Sequence, residues 1–171
     1  MEQVQTTYLI TDFSNLSSHK WRIVNDGVMG GLSRSHLQIH GDGHAAFQGE
    51  ISLKNSGGFA SVMNLSPLNL EGYSAIHIKV RGDGKRYSFR FRTGSDFVFH
   101  HWVYEARFNT RSGEWQIVKL PLHRFNATYH GEALTDTPLP DLSSIREYGF
   151  LISDKQPGKF RLEIEWIKAV D

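Results

Sequence analysis

Strict alternation of apolar and polar residues in the middle of the chain limits the folds open to this sequence. The alternation covers two neighbouring segments, residues 76–81 and 87–92. A period of two places successive side chains on opposite faces of a β-strand. The glycine-containing stretch 82–85 between them is typical of a turn. The pattern therefore predicts an antiparallel hairpin with one apolar face, and a register shift of one residue would exchange its two faces. The predicted core positions are Ile76, Ile78, Val80, Tyr87, Phe89 and Phe91.

Further strand patterns extend along the chain, whereas helical periods are scarce. A second hairpin is predicted around Gly41-Asp42-Gly43, and single helical turns are expected at Leu122–Phe125 and Leu142–Arg146. The irregular stretch 126–141 is expected to lie on the surface. About ten short strands with glycine-rich turns predict an all-β sandwich or barrel, as one domain over residues 1–171. The other predicted strands are 8–13, 59–65, 102–108, 115–120, 147–152 and 160–170.

Composition excludes several classes of site and partner. The chain has no cysteine, so disulfides, thiolate zinc sites and thiol nucleophiles are ruled out. The formal net charge is +1, which does not favour nucleic acid as a partner. The start, Met1–Gln5, lacks the basic and apolar regions of a targeting peptide, and no apolar run is as long as a membrane span. We therefore predict a cytoplasmic protein without a membrane span.

The segment Trp21–Ser33 combines turn chemistry with apolar side chains and has no regular period. Asn25-Asp26-Gly27 favours a turn, and Gly30-Gly31 permits positive φ or close approach of another segment. We predict an ordered loop that packs near Asn55–Ser61, where paired glycines recur. Ordered loops on rigid scaffolds often carry function, but a purely structural corner over the core is the alternative. The residues too apolar for a solvated loop are Trp21, Val24, Val28, Met29 and Leu32.

Several segments, in this order, resemble the complex I intermediate-associated protein 30 family. They are Trp21–Ser33, Phe47–Leu53, Asn55–Ser61, Arg81–Tyr87, Trp115–Phe125, Gly149–Gln156 and Gly158–Phe160. The resemblance runs from Asp12 to Ala169 and implies a galactose-binding-like jelly roll. Within the first and third segments, the matching motif positions are Asp26, Met29, Gly30, Gly31, Asn55, Gly57 and Gly58.

The resemblance also implies a function. The family assists assembly of mitochondrial respiratory complex I by binding intermediates, and it offers no catalytic residue to transfer. The chain has no presequence of the mitochondrial pattern, so we expect a prokaryotic single-domain member. We predict a non-catalytic module that binds protein partners or assembly intermediates. A carbohydrate- or anion-binding module of the galactose-binding-like fold is the alternative.

One face of the predicted central hairpin is the first candidate binding site. Its basic side chains would repel one another unless carboxylates or an anionic ligand compensated them. A solvated face with Glu105, Glu163 and Glu165 as partners is the alternative reading. The predicted binding residues on this face and its turn are His77, Lys79, Arg81, Asp83, Lys85, Arg90 and Arg92.

An aromatic cluster is the second candidate site. Exposed aromatic rings bind sugar rings or partner side chains, whereas buried ones belong to the core. Core packing is the commoner state, and a turn-like segment makes Phe97 and Phe99 the expected exceptions. The cluster contains Phe97, Phe99, Trp102 and Tyr104.

No motif supports an enzyme or a metal site. His36, His40 and His44 are four residues apart, which is a metal-binding spacing only on a helix, and this segment is predicted as strand, turn and strand. We therefore predict solvated histidines that do not form one cluster. No Asp-x-Asp pattern supports a calcium site, and we predict no cofactor and no catalytic residue.

Overall fold

The computed structural model describes residues 6–14, 20–95, 98–99, 102–129 and 131–171. Its strands form two antiparallel sheets, which confirms the predicted all-β sandwich of the galactose-binding-like jelly-roll type. The strands are β1 (Thr7–Thr11), β2 (Trp21–Asn25), β3 (Arg34–His40), β4 (His44–Ile51), β5 (Ala60–Asn64), β6 (Ala75–Arg81), β7 (Arg86–Ser95), β8 (Val98–Phe99), β9 (Val103–Asn109), β10 (Trp115–Pro121), β11 (Asn126–Tyr129), β12 (Glu132–Ala133), β13 (Ile145–Ile152) and β14 (Gly158–Val170).

Each sheet contributes one face to a shared core. Sheet A has the strand order β10-β6-β14-β4-β3, with β1 also paired to β14. Sheet B has the order β12-β11-β9-β7-β13-β5-β2, with β8 paired to β7. The long strand β14 therefore lies in the middle of sheet A, and β7 and β13 lie in the middle of sheet B.

The predicted central hairpin is wrong, because β6 and β7 belong to different sheets. β6 pairs with β10 and β14, whereas β7 pairs with β9 and β13. The connection crosses from one sheet to the other and is anchored by Thr110, whose hydroxyl accepts the Gly84 N–H (3.1 Å) and donates to the Lys85 carbonyl (2.7 Å). Alternation reports only that one face of a strand is buried, so it cannot distinguish a hairpin from such a crossing.

The predicted burial of these two strands is confirmed despite their separation. Ile78 and Val80 are fully buried from sheet A, and Phe89 and Phe91 are 1% exposed from sheet B. Some rings from sheet B pack edge to face, as in the Phe89–Phe150 pair with centroids 5.5 Å apart, and others stack. Lys79, Arg90 and Arg92 lie outside this core cluster, as predicted.

The hairpin of β3 and β4 is confirmed, with His40 opposite His44 beside the turn. A single 3-10 turn at Leu122–Arg124 is also confirmed. The second predicted helical turn, Leu142–Arg146, is wrong because β13 begins at Ile145.

Candidate functional site

The fold divides the predicted basic face between two opposite surfaces. His77, Lys79 and Arg81 of β6 lie on the outer face of sheet A, and Arg90 and Arg92 of β7 lie on the outer face of sheet B. The prediction of one continuous basic face is therefore wrong. The reason is the same crossing between sheets that removes the hairpin.

On sheet B, carboxylates compensate most of the positive charge. Glu147 is only 5% exposed and pairs with Arg92 (2.8 Å) and with Arg22 (3.5 Å). Glu105 joins this face from β9, directly opposite Arg90, as the alternative reading predicted. Burial lowers the pKa of Arg90, and the neighbouring Glu105 carboxylate partly offsets this effect.

On sheet A, one row of side chains crosses five strands. The pairing register aligns Gln38, Ala46, Glu163, Arg81 and Trp115. Arg81 donates two hydrogen bonds to Glu163, at 2.5 and 2.9 Å. A bidentate guanidinium–carboxylate pair of this kind fixes both side chains in one geometry.

Glu163 makes the stability of the folded protein depend on pH in the acid range. The hydrogen bond from Arg81 is the main cause that lowers its pKa to about 2, against the opposing effect of burial. A carboxyl whose pKa is lower in the folded than in the unfolded chain stabilises the fold above the unfolded value, and this contribution disappears as the pH falls from about 4.5 towards 2. We expect Glu163→Gln to be less stable than the wild type at pH 7 and to lose less stability over that acid interval. Urea unfolding of both proteins at pH 7 and pH 3 measures the difference, and parallel losses would contradict the assignment.

Trp115 is the first residue of β10, the edge strand of sheet A next to β6. The Arg81 guanidinium lies 4.9 Å and the Lys79 ammonium 5.8 Å from the centroid of its ring. Cations over an indole face are attracted by the quadrupole of the ring. Trp115 is 37% exposed, and Ile117 beside it on β10 is 52% exposed.

A second tryptophan extends the same surface along β14. Trp166 lies opposite Lys79 in the register, and the Lys168 ammonium lies 4.2 Å from its ring centroid. Lys79 also pairs with Glu165 at 2.7 Å, as the alternative reading predicted. We call the patch of Lys79, Arg81, Trp115, Ile117 and Trp166 the tryptophan face.

The predicted binding residues of the turn have structural partners. The Asp83 carboxylate accepts hydrogen bonds from the Tyr87 hydroxyl (3.0 Å), the Lys85 N–H (3.1 Å) and the Arg161 N–H (2.9 Å). It therefore ties the crossing between sheets to β14. A binding role for Asp83 or Lys85 stays a prediction.

The predicted aromatic cluster lies mostly in the core where it is described. Tyr104 is 3% exposed, stacks on Phe91 at 5.5 Å and donates its hydroxyl to the Pro138 carbonyl (2.9 Å). Trp102 is half-buried and packs against the core. Phe97 lies outside the described residues, and for Phe99 only the backbone, in β8, is described.

Two of the three candidate histidines lie together and the third lies apart, so the three do not form one cluster, as predicted. The rings of His40 and His44 stack at 4.5 Å across the β3–β4 hairpin, and His36 contacts Gln48 instead. Within the described part of the chain, no group of three or more histidine, aspartate or glutamate side chains is arranged to hold a metal ion.

The two motif loops meet at the side chain of Asp26, which is 1% exposed. Its carboxylate accepts hydrogen bonds from the Ser33 N–H (2.9 Å), the Ser33 hydroxyl (2.5 Å) and the Gly58 N–H (2.7 Å). Burial alone would raise the pKa of Asp26, but these hydrogen bonds outweigh it and lower the pKa. The predicted packing of the first loop near Asn55–Ser61 is therefore confirmed, although its first five residues form strand β2 and not a loop.

The motif glycines make this arrangement possible. Gly30 has φ +87°, and its carbonyl accepts a hydrogen bond from the Asn55 amide (3.2 Å). A Cβ on Gly57 would come 2.6 Å from the Asp26 carboxylate, and one on Gly31 would overlap the same group. Met29 ends the short 3-10 helix that begins at Asp26. These residues shape the scaffold, and a binding role for them stays a prediction.

Sequence reasoning missed Trp115, Ile117 and Trp166 as surface residues. In β10 the apolar residues occupy both faces, so the alternation does not say which set points inward. The lysine at position 119, two residues beyond Ile117, is the one available signal, because lysine seldom faces a core.

Comparison with known proteins identifies the family and the fold. The model of the family described as complex I intermediate-associated protein 30 matches residues 11–164. The mitochondrial proteins of that name from Mus musculus and Drosophila melanogaster are each 25% identical, over 98% and 86% of this chain. The chain spans 56% and 57% of their lengths, about half of each. An uncharacterized protein of Schizosaccharomyces pombe is 26% identical over 91% of this chain and 80% of its own length.

Two solved structures with a similar fold are carbohydrate-binding modules. The family 11 module of a cellulosomal cellulase from Clostridium thermocellum has a TM-score of 0.70 at 14% identity, over 98% of this chain and 95% of that one. The same kind of module in complex with a mixed-linked tetrasaccharide has a TM-score of 0.69 at 14% identity, over 98% and 96%. This likeness shows the fold alone.

Among the described residues, no helix has both the length and the apolar character to cross a membrane. Because the family model covers most of its length, the chain belongs to the complex I intermediate-associated protein 30 family.

Proposed function

We propose that this chain is a non-catalytic protein-binding domain that acts in respiratory complex I assembly, with the tryptophan face as its docking surface. The observation that carries the proposal is the exposure of Trp115 and Ile117 side by side on the outer face of β10. Family membership supplies the expected process, since the mouse and fly relatives are named for complex I intermediates.

The chemistry of the tryptophan face favours a protein over a polyanion. Its main cations are already neutralised, because Arg81 pairs with Glu163 and Lys79 with Glu165. What remains accessible is an indole and an aliphatic side chain surrounded by paired charges. Tryptophan and arginine dominate binding energy at protein interfaces, where an apolar centre is surrounded by a polar rim.

The test is a double variant of the exposed apolar pair. Trp115→Ala with Ile117→Ser should weaken partner binding by about 30-fold or more, because truncation of a central interface tryptophan costs about 2 kcal/mol or more. In the native cell, the variant should accumulate complex I subassemblies on native gels and should fail to co-purify complex I subunits.

Leu139→Ser is the matched control, since Leu139 is 91% exposed and does not belong to the tryptophan face. Thermal melts of both variants check that the fold is intact. Normal complex I assembly with a folded double variant would overturn the proposal. Retention on immobilised mixed-linked glucan that the double variant loses would instead support the carbohydrate-binding alternative.

The cytoplasmic location stays a prediction, and fractionation of the same cells tests it against the mitochondrial location in the names of the relatives.

A further inference from the structure

A polar cavity of about 440 Å³ lies on the side of the sandwich away from the motif loops. It is formed where β9 and β11 of sheet B approach the end of β10 and the 3-10 turn that follows it. Its volume falls within the range of about 300–1,000 Å³ that is common for small-molecule sites. The polar side chains that line it are Glu105, Arg107, Lys119, Arg124, Asn126 and Thr128.

The cavity carries an excess of positive charge. Glu105 does not cancel it, because this carboxylate already faces Arg90 across the strand pair and lies 4.0 Å from Arg107. Arg107 is in turn held by Asp154 at 3.1 Å. Among the described residues, Lys119 and Arg124 have no ion-pair partner, so two cations face the cavity uncompensated.

The remaining polar lining suits hydroxyl groups. Asn126 lies directly opposite Glu105 in the register, and Thr128 follows two residues later on the same face of β11. Glu105 is 5% exposed and Thr128 6%, so the buried part of the lining includes a carboxylate and an alcohol. A hydroxyl group both donates and accepts, and it therefore matches a carboxylate beside an amide and an alcohol.

We propose that this cavity binds a small polyhydroxylated anion, with Lys119 and Arg124 on its charged group and Glu105, Asn126 and Thr128 on its hydroxyls. A sugar acid and a sugar phosphate share this chemistry. The inference does not rest on protein binding at the tryptophan face, because the two surfaces share no residue, although Lys119 follows Ile117 on the same face of β10.

The test compares four compounds on the full chain by calorimetric titration. Glucuronate and glucose 6-phosphate carry the carboxylate and the phosphate, glucose lacks the charge, and inorganic phosphate lacks the hydroxyls. We expect at least one of the two sugar anions to bind about tenfold or more tightly than both glucose and inorganic phosphate. Preference between the two then identifies the anionic group. Binding should weaken with added salt, because exposed charges are screened.

Variants locate the binding at this cavity. Lys119→Ala with Arg124→Ala should weaken the sugar anion by about tenfold or more, since each lost charge-assisted hydrogen bond is worth a factor of that order. Arg111→Ala is the matched control, because Arg111 is an exposed cation in the preceding loop and does not line the cavity. Amide NMR shifts at Asn126 and Thr128 provide a readout independent of the charge changes. Equal affinity for glucose, absence of any binding at millimolar concentration, or unchanged affinity in the folded double variant would each overturn the proposal.

Discussion

Replacing Asp26 by alanine is expected to lower the free energy of unfolding by about 3–5 kcal/mol. The Asp26 carboxylate accepts hydrogen bonds from both N–H and hydroxyl of Ser33 and from the Gly58 N–H, and it is almost completely buried. The variant would leave these donors without an acceptor in a site that water reaches poorly. Urea unfolding at neutral pH measures the change.

Asp42→Ala is the control for this prediction. Asp42 is an exposed carboxylate that also has one close partner, His44 at 2.6 Å, and pairs of this kind are worth about 1 kcal/mol or less. A loss for Asp26→Ala no larger than for Asp42→Ala would show that the hydrogen bonds of Asp26 do not hold the two loops together.

Replacing Gly149 by alanine is expected to destabilise the protein by at least about 3 kcal/mol. Gly149 lies in β13 at the centre of sheet B, opposite Met63 on one side and Arg90 on the other. A Cβ there would overlap the Val62 carbonyl oxygen and would come 2.8 Å from the Met63 sulfur. Because the first of these atoms belongs to the backbone, the two strands would have to separate.

Gly41→Ala is the matched control, since a Cβ at Gly41 meets nothing within 4 Å. The φ of both glycines lies outside the left-handed region, so neither substitution strains the backbone. The comparison therefore measures the effect of the steric overlap of the added Cβ. Thermal melts of the two variants provide the measurement. Equal melting temperatures would mean that β13 and β5 adjust to a methyl group without cost.

Both predictions give a physical reason for residues that carry the family resemblance. Asp26 and Gly57 belong to the motif loops, and Gly149 begins another matching segment. Their structural roles explain why these residues match the family without lying on the proposed docking surface or in the polar cavity.

The sequence by itself determined the fold class and the buried positions of β6 and β7. Period-two alternation identifies the buried face of a strand whatever its neighbours are, so Ile78, Val80, Phe89 and Phe91 were assigned to the core correctly. The paired glycines of the two motif loops likewise predicted that the loops meet. These features depend on local patterns, and each such pattern can be read from a short segment of the chain.

Only the tertiary structure decided which strands are neighbours, and hence which surface residues lie together. Placing β6 and β7 in different sheets separated Arg81 from Arg90, and it brought Arg81 to Glu163, 82 positions away, and to Trp115. The approach of the two sheets likewise formed the polar cavity from Glu105 of β9, Lys119 of β10 and Arg124. Strand pairing is set by packing of the whole core and by connections such as the one held by Thr110, and a binding surface made of side chains from several strands is therefore not encoded in any single segment.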